Sequence, residues 1–206
     1  MAPLDPTAPA LEPVTLEGSF VRLEPMTMEH HAALTAIGLD PDIWQRAIAP
    51  IRTPEEMRSY MEVALQLQRE GTALPFVTVE RSSGTVVGST RFGNYDRANR
   101  RIEIGWTWLA PAWQRTVTNT EAKYLMLTHA FERLGCVRVE LKTDVLNSQS
   151  RNAILRIGAK EEGILRKHTL TWTGRYRDSI YYSILDEEWP RVKARLRALV
   201  AQRPKL

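Results

Sequence analysis

Apolar and polar residues alternate between Arg101 and Leu109, and this period of two predicts a β-strand. One face of the strand would carry Ile102, Ile104, Trp106 and Trp108. The other face would carry Glu103, Gly105, Thr107 and Leu109. Pro111 ends the pattern, because proline has no N–H group to donate to a neighbouring strand.

The segment after this strand predicts a loop and then a helix. Apolar residues recur at helical spacing, at Ala122, Leu125, Met126, Ala130, Phe131 and Leu134. Thr118 and Glu121 have the spacing of a capping box, and Gly135 is placed to end the helix. A helix N-terminus presents free N–H groups and a positive dipole, which favour an anion such as a phosphate. The alternative interpretation is a strand–loop–helix unit of the common kind that binds nothing.

The remaining periodic segments complete the order β α α β β β α β α β β α. Further strands are predicted at 16–24, 74–80, 85–95, 137–143, 160–171 and 175–185, and further helices at 28–37, 54–70, 147–157 and 187–200. The middle strands should pair as antiparallel hairpins, whereas the unit 101–143 should form a parallel, right-handed crossover. We therefore expect an α/β fold with a mixed sheet of about seven strands and helices on both faces. A single domain would span 14–206, after a flexible tail at 1–13.

Composition narrows the class of protein. Hydrophobic residues make up 43% and charged residues 25% of the 206 residues, as in ordinary globular proteins. The net charge of +4 suits an acidic ligand but is too small and dispersed to favour nucleic acid. Cys136 is the only cysteine, so no internal disulfide can form, which fits the reducing cytoplasm. No apolar run reaches the length of a membrane span, so we expect a cytoplasmic protein.

Four segments carry a resemblance to a known family. They read EIGWTWLAP, WQRTVTNTEAK, LKTDVLNSQSRNAILRIGAKEEG and RYRDSIYYSILDEEW. In this order they resemble the GNAT superfamily of acyl-CoA-dependent N-acyltransferases, over about residues 16–200. The pair Asn147 and Ser150 resembles the branch that contains the ribosomal-protein N-terminal (alanine/serine) acetyltransferases.

The resemblance implies a binding site for acetyl-CoA. In this superfamily the pantetheine arm lies between two diverging strands and pairs with the backbone of one, here Thr107, Trp108 and Leu109. An N–H group near Leu109 would polarise the thioester carbonyl. Asn147 would contact the pantetheine arm, and Ser150 would lie near the sulfur and donate to the departing thiolate. The pyrophosphate would lie on the loop that contains Gln114, Arg115, Thr116, Val117, Thr118, Asn119 and Thr120.

The sequence departs from the family pattern at two places. The phosphate loop usually contains glycines, but QRTVTN contains none, so residues with side chains must adopt the loop conformation. Hydroxyl and amide donors, with the charges of Arg115 and Lys123, would compensate. Many members also have a tyrosine as general acid where this chain has Ile154. This departure shifts the role to Ser150 or to water.

The acceptor would be a primary amine, which attacks only when it is neutral. An α-amine has a pKa of about 7.7–8.0 and loses its proton far more easily than a lysine side chain. Glu103 is the candidate base, and the alternative is that it only pairs with a cross-strand arginine such as Arg91. His168 would border the acceptor site, or it is structural. Trp44 would form one wall of that site, or it packs in the core.

We therefore expect an N-acetyltransferase that uses acetyl-CoA, or another acyl-CoA, and no metal. Transfer to a protein N-terminus or a small amine would occur by direct attack in a ternary complex. A non-catalytic acyl-CoA-binding module is an alternative, and an RNA- or ribosome-associated protein is the least favoured one. Trp189, Val192 and Leu196, or an edge strand, leave a homodimer open.

Overall fold

The computed structural model describes residues 9–202. The strands are β1 (Leu16–Glu17), β2 (Val21–Pro25), β3 (Leu74–Glu80), β4 (Val86–Asp96), β5 (Arg101–Leu109), β6 (Arg138–Asp144), β7 (Lys160–Leu170) and β8 (Tyr176–Leu185). The helices are α1 (His31–Gly38), α2 (Pro41–Trp44), α3 (Pro54–Arg69), α4 (Val117–Glu132), α5 (Ser148–Arg156) and α6 (Trp189–Ala201).

All eight strands form one sheet in the order β1-β2-β3-β4-β5-β6-β8-β7. Every neighbouring pair is antiparallel except β5 and β6, which are parallel. The predicted mixed sheet with one parallel pair is therefore confirmed. The expected count of about seven becomes eight, because a turn divides the predicted first strand into β1 and β2. In that turn the Gly18 N–H donates to the Val21 carbonyl at 2.9 Å.

Helices cover both faces of the sheet and define two cores. On one face, α4, α5 and α6 bury a large cluster that includes Ile102, Met126 and Ile154. On the other face, α1, α2 and α3 bury a smaller cluster that includes Met57, Trp44 and Trp108. The smaller cluster takes residues from β3 and β5, together with Met26 just after β2, but none from β6, β7 or β8. The α3 face of the last three strands therefore presents polar side chains.

The short helix α2 was not predicted. Pro41 stands at its first turn and the Asp40 carboxylate accepts from the Asp42 N–H at 2.9 Å, which is a local N-terminal capping signal. Trp44 consequently ends a helix rather than lying in a loop. The bounds of the long elements lie within about two residues of their predicted positions.

Part of the segment that was predicted as a flexible tail packs against the domain. Its first eight residues fall outside the described residues. Within 9–13, Leu11 is buried in the larger core and the Tyr95 hydroxyl donates to the Pro9 carbonyl at 2.8 Å. These contacts hold residues 9–11 against β4. Within 9–202, no helix is long and apolar enough to cross a lipid bilayer.

Candidate active site

A cleft opens where β5 and β6 separate. The two strands pair only over Arg101–Glu103 and Arg138–Glu140. β5 then continues to Leu109 and β6 to Asp144 without further pairing to each other. The edge of β5 beyond Glu103 is therefore free to pair with a bound chain of atoms.

A β-bulge at Trp106 changes the face on which the end of β5 packs. The register with β4 shifts between Gly105, opposite Arg91, and Trp108, opposite Ser89. Trp106 itself has a φ of 50°, a left-handed conformation that costs a side chain roughly 1–2 kcal/mol. The prediction that Trp106 and Trp108 share a face with Ile102 and Ile104 is therefore wrong. Trp108 packs in the smaller core, and the Trp106 ring lies exposed above Gly93.

The bulge turns the Leu109 N–H into the cleft. The next N–H along the strand, that of Ala110, donates to the Val87 carbonyl of the β4 side at 2.9 Å. Because N–H groups alternate in direction along a strand, the Leu109 N–H points the opposite way, toward β6. This is the donor that we expect beside a thioester carbonyl.

Lys123 fixes the bulge from the α4 side. Its ammonium donates to the Thr107 hydroxyl at 2.6 Å and to the Thr90 hydroxyl at 3.2 Å. The side chain is only 6% exposed, and burial lowers the pKa of Lys123 to about 7. The expectation that Lys123 offers charge to a phosphate is thus wrong, because the ammonium lies beneath β5. Thr107 correspondingly faces α4 through its hydroxyl.

The loop 114–116 leads from β5 into the N-terminus of α4. Arg115 has a φ of 60°, so a residue with a side chain does occupy the left-handed conformation that glycine favours. Thr116 is the N-cap, accepting from the Thr118 N–H at 3.3 Å and donating to the Trp113 carbonyl at 2.8 Å. By the geometry of a helix start, the N–H groups of Val117 and Asn119 have no intrahelical acceptor.

The predicted capping box of Thr118 and Glu121 is not formed. α4 begins at Val117 with Thr116 as its N-cap, two residues before the predicted cap, and Thr118 is buried within its first turn. Glu121 instead accepts hydrogen bonds from the backbone N–H groups of Ser19, Phe20 and Val21 at 2.7–2.8 Å. This carboxylate ties α4 to the turn between β1 and β2, and so fixes where the helix N-terminus points.

Polar side chains connect the loop with α5 across the mouth of the cleft. The Gln114 amide donates to the Leu109 carbonyl at 3.1 Å and accepts from Gln149 at 3.2 Å. The Arg156 guanidinium donates to the Thr120 hydroxyl at 2.8 Å. The buried Asn119 Oδ1 has no partner within the described chain. The end of β5, the start of α4 and the start of α5 therefore converge on one site.

Asn147 and Ser150 lie at the start of α5, directly after β6. Asn147 is the N-cap, and its Oδ1 accepts from the Ser150 N–H at 3.0 Å. The Asp144 carboxylate similarly accepts from the Leu146 N–H at 3.0 Å. These bonds hold segment 144–150 on the β6 side of the cleft, and the Ser150 hydroxyl stands in the first turn of the helix. Ile154 is buried in the larger core, so it offers no group to the cleft.

Glu103 lies where β5 and β6 separate, and its carboxylate forms a salt bridge. Its side chain is 4% exposed. Oε2 accepts from Lys142 Nζ at 2.9 Å and from Asn94 Nδ2 at 2.8 Å. The partner is thus Lys142 of β6, not Arg91 as the alternative interpretation proposed. Oε1 accepts no hydrogen bond from the described residues and stays available.

His168 ends a row of polar groups that starts at Glu103. Lys142 Nζ lies 5.6 Å from the centre of the Tyr181 ring on β8. The His168 ring lies edge-on to Tyr181 at 5.9 Å, and its Nδ1 is 3.0 Å from the Ser179 hydroxyl. The row therefore crosses β5, β6, β8 and β7 on the face that the second core leaves open.

Beside this open face, the segment between α2 and α3 contacts the turn between β7 and β8. The Trp172 N–H, in the turn between β7 and β8, donates to the Ile48 carbonyl at 2.9 Å. The Arg52 guanidinium stacks on the Trp172 ring at 4.7 Å. Trp44 lies deeper: it is buried, its Nε1 donates to the Gly38 carbonyl at 2.7 Å, and its ring packs on Trp108 at 5.5 Å. Trp44 therefore packs in the core, which is the second of its two predicted roles.

Comparison with known proteins identifies the family. The model of the acetyltransferase (GNAT) domain matches residues 21–160. The chain belongs to the GNAT family of acetyltransferases. A Bacillus subtilis protein named ribosomal N-acetyltransferase YdaF is 38% identical over 106 residues, which are 52% of this chain and 57% of YdaF.

Solved structures agree with this assignment to the GNAT acetyltransferases. A GCN5-related N-acetyltransferase from Brucella melitensis is 32% identical, with a TM-score of 0.86 over 93% of this chain and 87% of that one. Mycobacterium smegmatis RimJ, solved in complex with CoA-disulfide, is 26% identical, with a TM-score of 0.76 over 96% of each chain. This chain is therefore an acetyltransferase.

Several side chains on the open face of this acetyltransferase were not identified from its sequence as part of the candidate site. Lys142, Tyr181 and Arg177 share the open face with Glu103, but they belong to strands far apart in the chain. Alternation along β8 does place Arg177, Ser179 and Tyr181 on one face, and this was the available signal. Within the described residues, no group of three histidine, cysteine, aspartate or glutamate side chains is placed to hold a metal ion.

Proposed function

We propose that this GNAT enzyme transfers the acetyl group of acetyl-CoA to a primary amine, with a protein N-terminus as the acceptor. The observation that carries the proposal is the free edge of β5 beside a helix N-terminus and a buried carboxylate. These features supply three things that the reaction needs: a path for the pantetheine arm, a site for its pyrophosphate and an acceptor for the amine proton.

Acetyl-CoA would lie along Thr107, Trp108 and Leu109, with its pyrophosphate over the loop and the first turn of α4. The N–H groups of Val117 and Asn119 and the dipole of a 16-residue helix favour that position for an anion. The Leu109 N–H would donate to the thioester oxygen as negative charge develops there. Removing one donor of this type commonly costs about 100- to 1,000-fold in kcat.

Glu103 would act on the acceptor amine. The amine nitrogen attacks the thioester carbon, the bond from carbon to sulfur breaks, and the amine loses one proton. Oε1 of Glu103 takes that proton, directly or through a water, while Lys142 and Asn94 hold Oε2. The departing thiolate receives a proton from Ser150 or from solvent, so the products are the N-acetylated amine and CoA.

An N-terminal amine suits this site better than a polyamine or an aminoglycoside. The α-amine pKa of about 7.7–8.0 leaves a useful neutral fraction at neutral pH. A polycation would need a cluster of free carboxylates, whereas Glu103 and Asp144 in this site are each paired with a cation. The name of YdaF, a ribosomal N-acetyltransferase, supports a protein as the acceptor.

Mass spectrometry of short peptides incubated with the enzyme and acetyl-CoA tests the proposal. We expect a gain of one acetyl group at the N-terminus, and none on a peptide whose α-amine is already blocked but which contains lysine. Acetylation of the blocked, lysine-containing peptide alone would overturn the assignment of the acceptor. The variant Glu103→Gln should reduce the rate without abolishing the melting shift that acetyl-CoA causes.

A further inference from the structure

Arg177 carries a buried charge that the protein does not neutralise. It lies on β8, two residues before Ser179 and four before Tyr181, and therefore on the same open face. The residue is 8% exposed, and its Nε is buried without a partner. Within 9–202 its guanidinium makes no hydrogen bond or salt bridge. Such a cation is costly to bury unless an anion joins it.

The carboxylates within electrostatic range of Arg177 are already engaged. Asp144 forms an ion pair with Arg175, and Glu103 forms one with Lys142. Burial lowers the pKa of the Arg177 guanidinium below its usual range, and the charges of Asp144 and Glu103 oppose this shift only in part. The site thus holds one positive charge in excess beside the candidate base.

Arg91 adds a second positive charge on the other side of Glu103. It lies on β4 opposite Gly105, and the adjacent position on that face, Gly93, is opposite Glu103. Arg91 is 2% exposed, with its guanidinium 5.3 Å from the centre of the Tyr60 ring and 5.0 Å from that of Trp106. Its Nε is buried and unpartnered. The aromatic rings hold this cation in place but leave its charge uncompensated by any carboxylate of the described chain.

Other charged side chains of the open face form ion pairs with one another. Glu140 and Glu162 both contact Arg138, and Arg101 also reaches Glu140. Arg177 and Arg91 form no such ion pair within 9–202, and they flank the carboxylate at which the acceptor amine would lose its proton.

We propose that Arg177, supported by the charge of Arg91, binds a carboxylate of the acceptor substrate. The acceptor is then an amine that carries an acidic group a few atoms from the reacting nitrogen, and an N-terminus followed by aspartate or glutamate has this chemistry. The planar guanidinium binds a carboxylate through two parallel hydrogen bonds, which a neutral amide cannot match. This inference rests on the proposed function, because it assigns the acceptor of the same site.

Matched peptides test the preference for an acidic acceptor. Peptides that begin Ser-Asp or Ser-Glu are compared with otherwise identical peptides that begin Ser-Asn or Ser-Gln, and free aspartate is a third arm. We expect kcat/KM to be about 10- to 100-fold higher for the acidic peptides, through a lower KM, as a hydrogen-bonded charge pair is worth. Equal rates, or faster acetylation of the amide peptides, would overturn the inference. A preference for free aspartate over both peptides would assign the carboxylate to an amino acid instead.

Variants show whether Arg177 is the residue responsible. Arg177→Gln should remove the preference by raising the KM of the acidic peptides alone, and Arg177→Lys should restore part of it. Arg191→Gln, which removes an exposed arginine from α6 on the opposite side of the sheet, is the charge-matched control and should keep the full preference. A full preference in Arg177→Gln would overturn the assignment. If that variant does not fold, the comparison of peptides on the natural protein still tests whether the enzyme prefers an acidic acceptor.

Binding measured without turnover separates this inference from the proposed function. Calorimetry of the peptides with the protein saturated in CoA, which cannot react, reports the anion preference alone. Acidic peptides that bind more tightly but are not acetylated in the presence of acetyl-CoA would support the anion site and contradict the proposed function. Acetylation with no preference in either measurement would leave the proposed function standing and overturn the anion site.

Discussion

Lys142 Nζ lies 2.9 Å from Glu103 Oε2, so a salt bridge spans β5 and β6 at the point where the strands separate. The bond does two things at once. It joins β5 to β6 at the closed end of the cleft, and it keeps one oxygen of the carboxylate engaged while the other stays available. The candidate base is therefore positioned by a residue 39 positions away in the sequence.

Substituting Glu103 and substituting Lys142 should have different effects on the enzyme. Glu103→Gln should lower kcat/KM about 100-fold, the usual contribution of a general base. Lys142→Met should destabilise the protein by about 3 kcal/mol, because it leaves a buried carboxylate without its cation. Denaturant unfolding of both single variants and the double variant measures the coupling. Additive losses would mean that the two side chains do not interact in solution.

Gly93 and Trp106 should be coupled, because the indole ring lies where a Cβ of residue 93 would stand. Gly93→Ala should therefore cost about 1–3 kcal/mol in the free energy of unfolding, as overpacking does. Adding Trp106→Ala should recover most of that loss, since neighbouring substitutions are not additive. Unfolding of the two single variants and the double variant is the measurement. A double variant with the summed loss of both single variants would refute this placement of the ring.

Lys123 should give the stability of the enzyme a specific pH dependence. The folded pKa of Lys123, about 7, lies below the ordinary lysine pKa of 10.5, so between these values the unfolded chain binds a proton that the folded chain lacks. The free energy of unfolding should then rise with pH over this window, by up to about 1.4 kcal/mol per pH unit from this group. Below the folded pKa the group is protonated in both states and contributes no slope.

The variant Lys123→Met isolates this effect. Denaturation at several pH values between 7.5 and 9.5 should give a smaller slope for the variant than for the natural protein, because all other titrating groups are shared. Parallel slopes would mean that Lys123 stays charged beneath β5.

Val117→Pro tests the helix N-terminus as the phosphate site. Val117 is the first residue of α4, where proline is tolerated, and Thr116 before it already has the extended conformation that precedes proline, with φ −100° and ψ −176°. The variant should fold normally yet lose one N–H donor, so its affinity for CoA should fall about tenfold. Unchanged CoA affinity in a calorimetric titration would place the phosphates elsewhere.

Local signals in the sequence predicted most elements of the fold. The bounds of β3 and β5 agree with prediction because alternation and turn residues define both strands. The bulge at Trp106 was missed because the apolar residues continue through it with unbroken spacing. The capping box at Thr118 was wrong because the Glu121 side chain bonds to a turn 100 residues away in the sequence.

The candidate site was predictable only in part, and for a related reason. Loop 114–120, Asn147 and Ser150 were located by their order along the chain. The partners of Glu103 depend on the register between β5 and β6, and a short parallel pairing is not specified by periodicity. The unpaired charges of Arg91 and Arg177 emerge only when every neighbouring carboxylate can be assigned a partner.

The melting temperature of the purified protein in the presence of acetyl-CoA tests the central claim most directly. A ligand at about 100 times its dissociation constant should stabilise the folded protein by about 2.7 kcal/mol. We predict a clear upward shift with acetyl-CoA and with CoA, and a smaller shift at the same concentration in Val117→Pro. No shift with either ligand would mean that the cleft between β5 and β6 is not a binding site for the carrier, and the proposed reaction would be excluded with it.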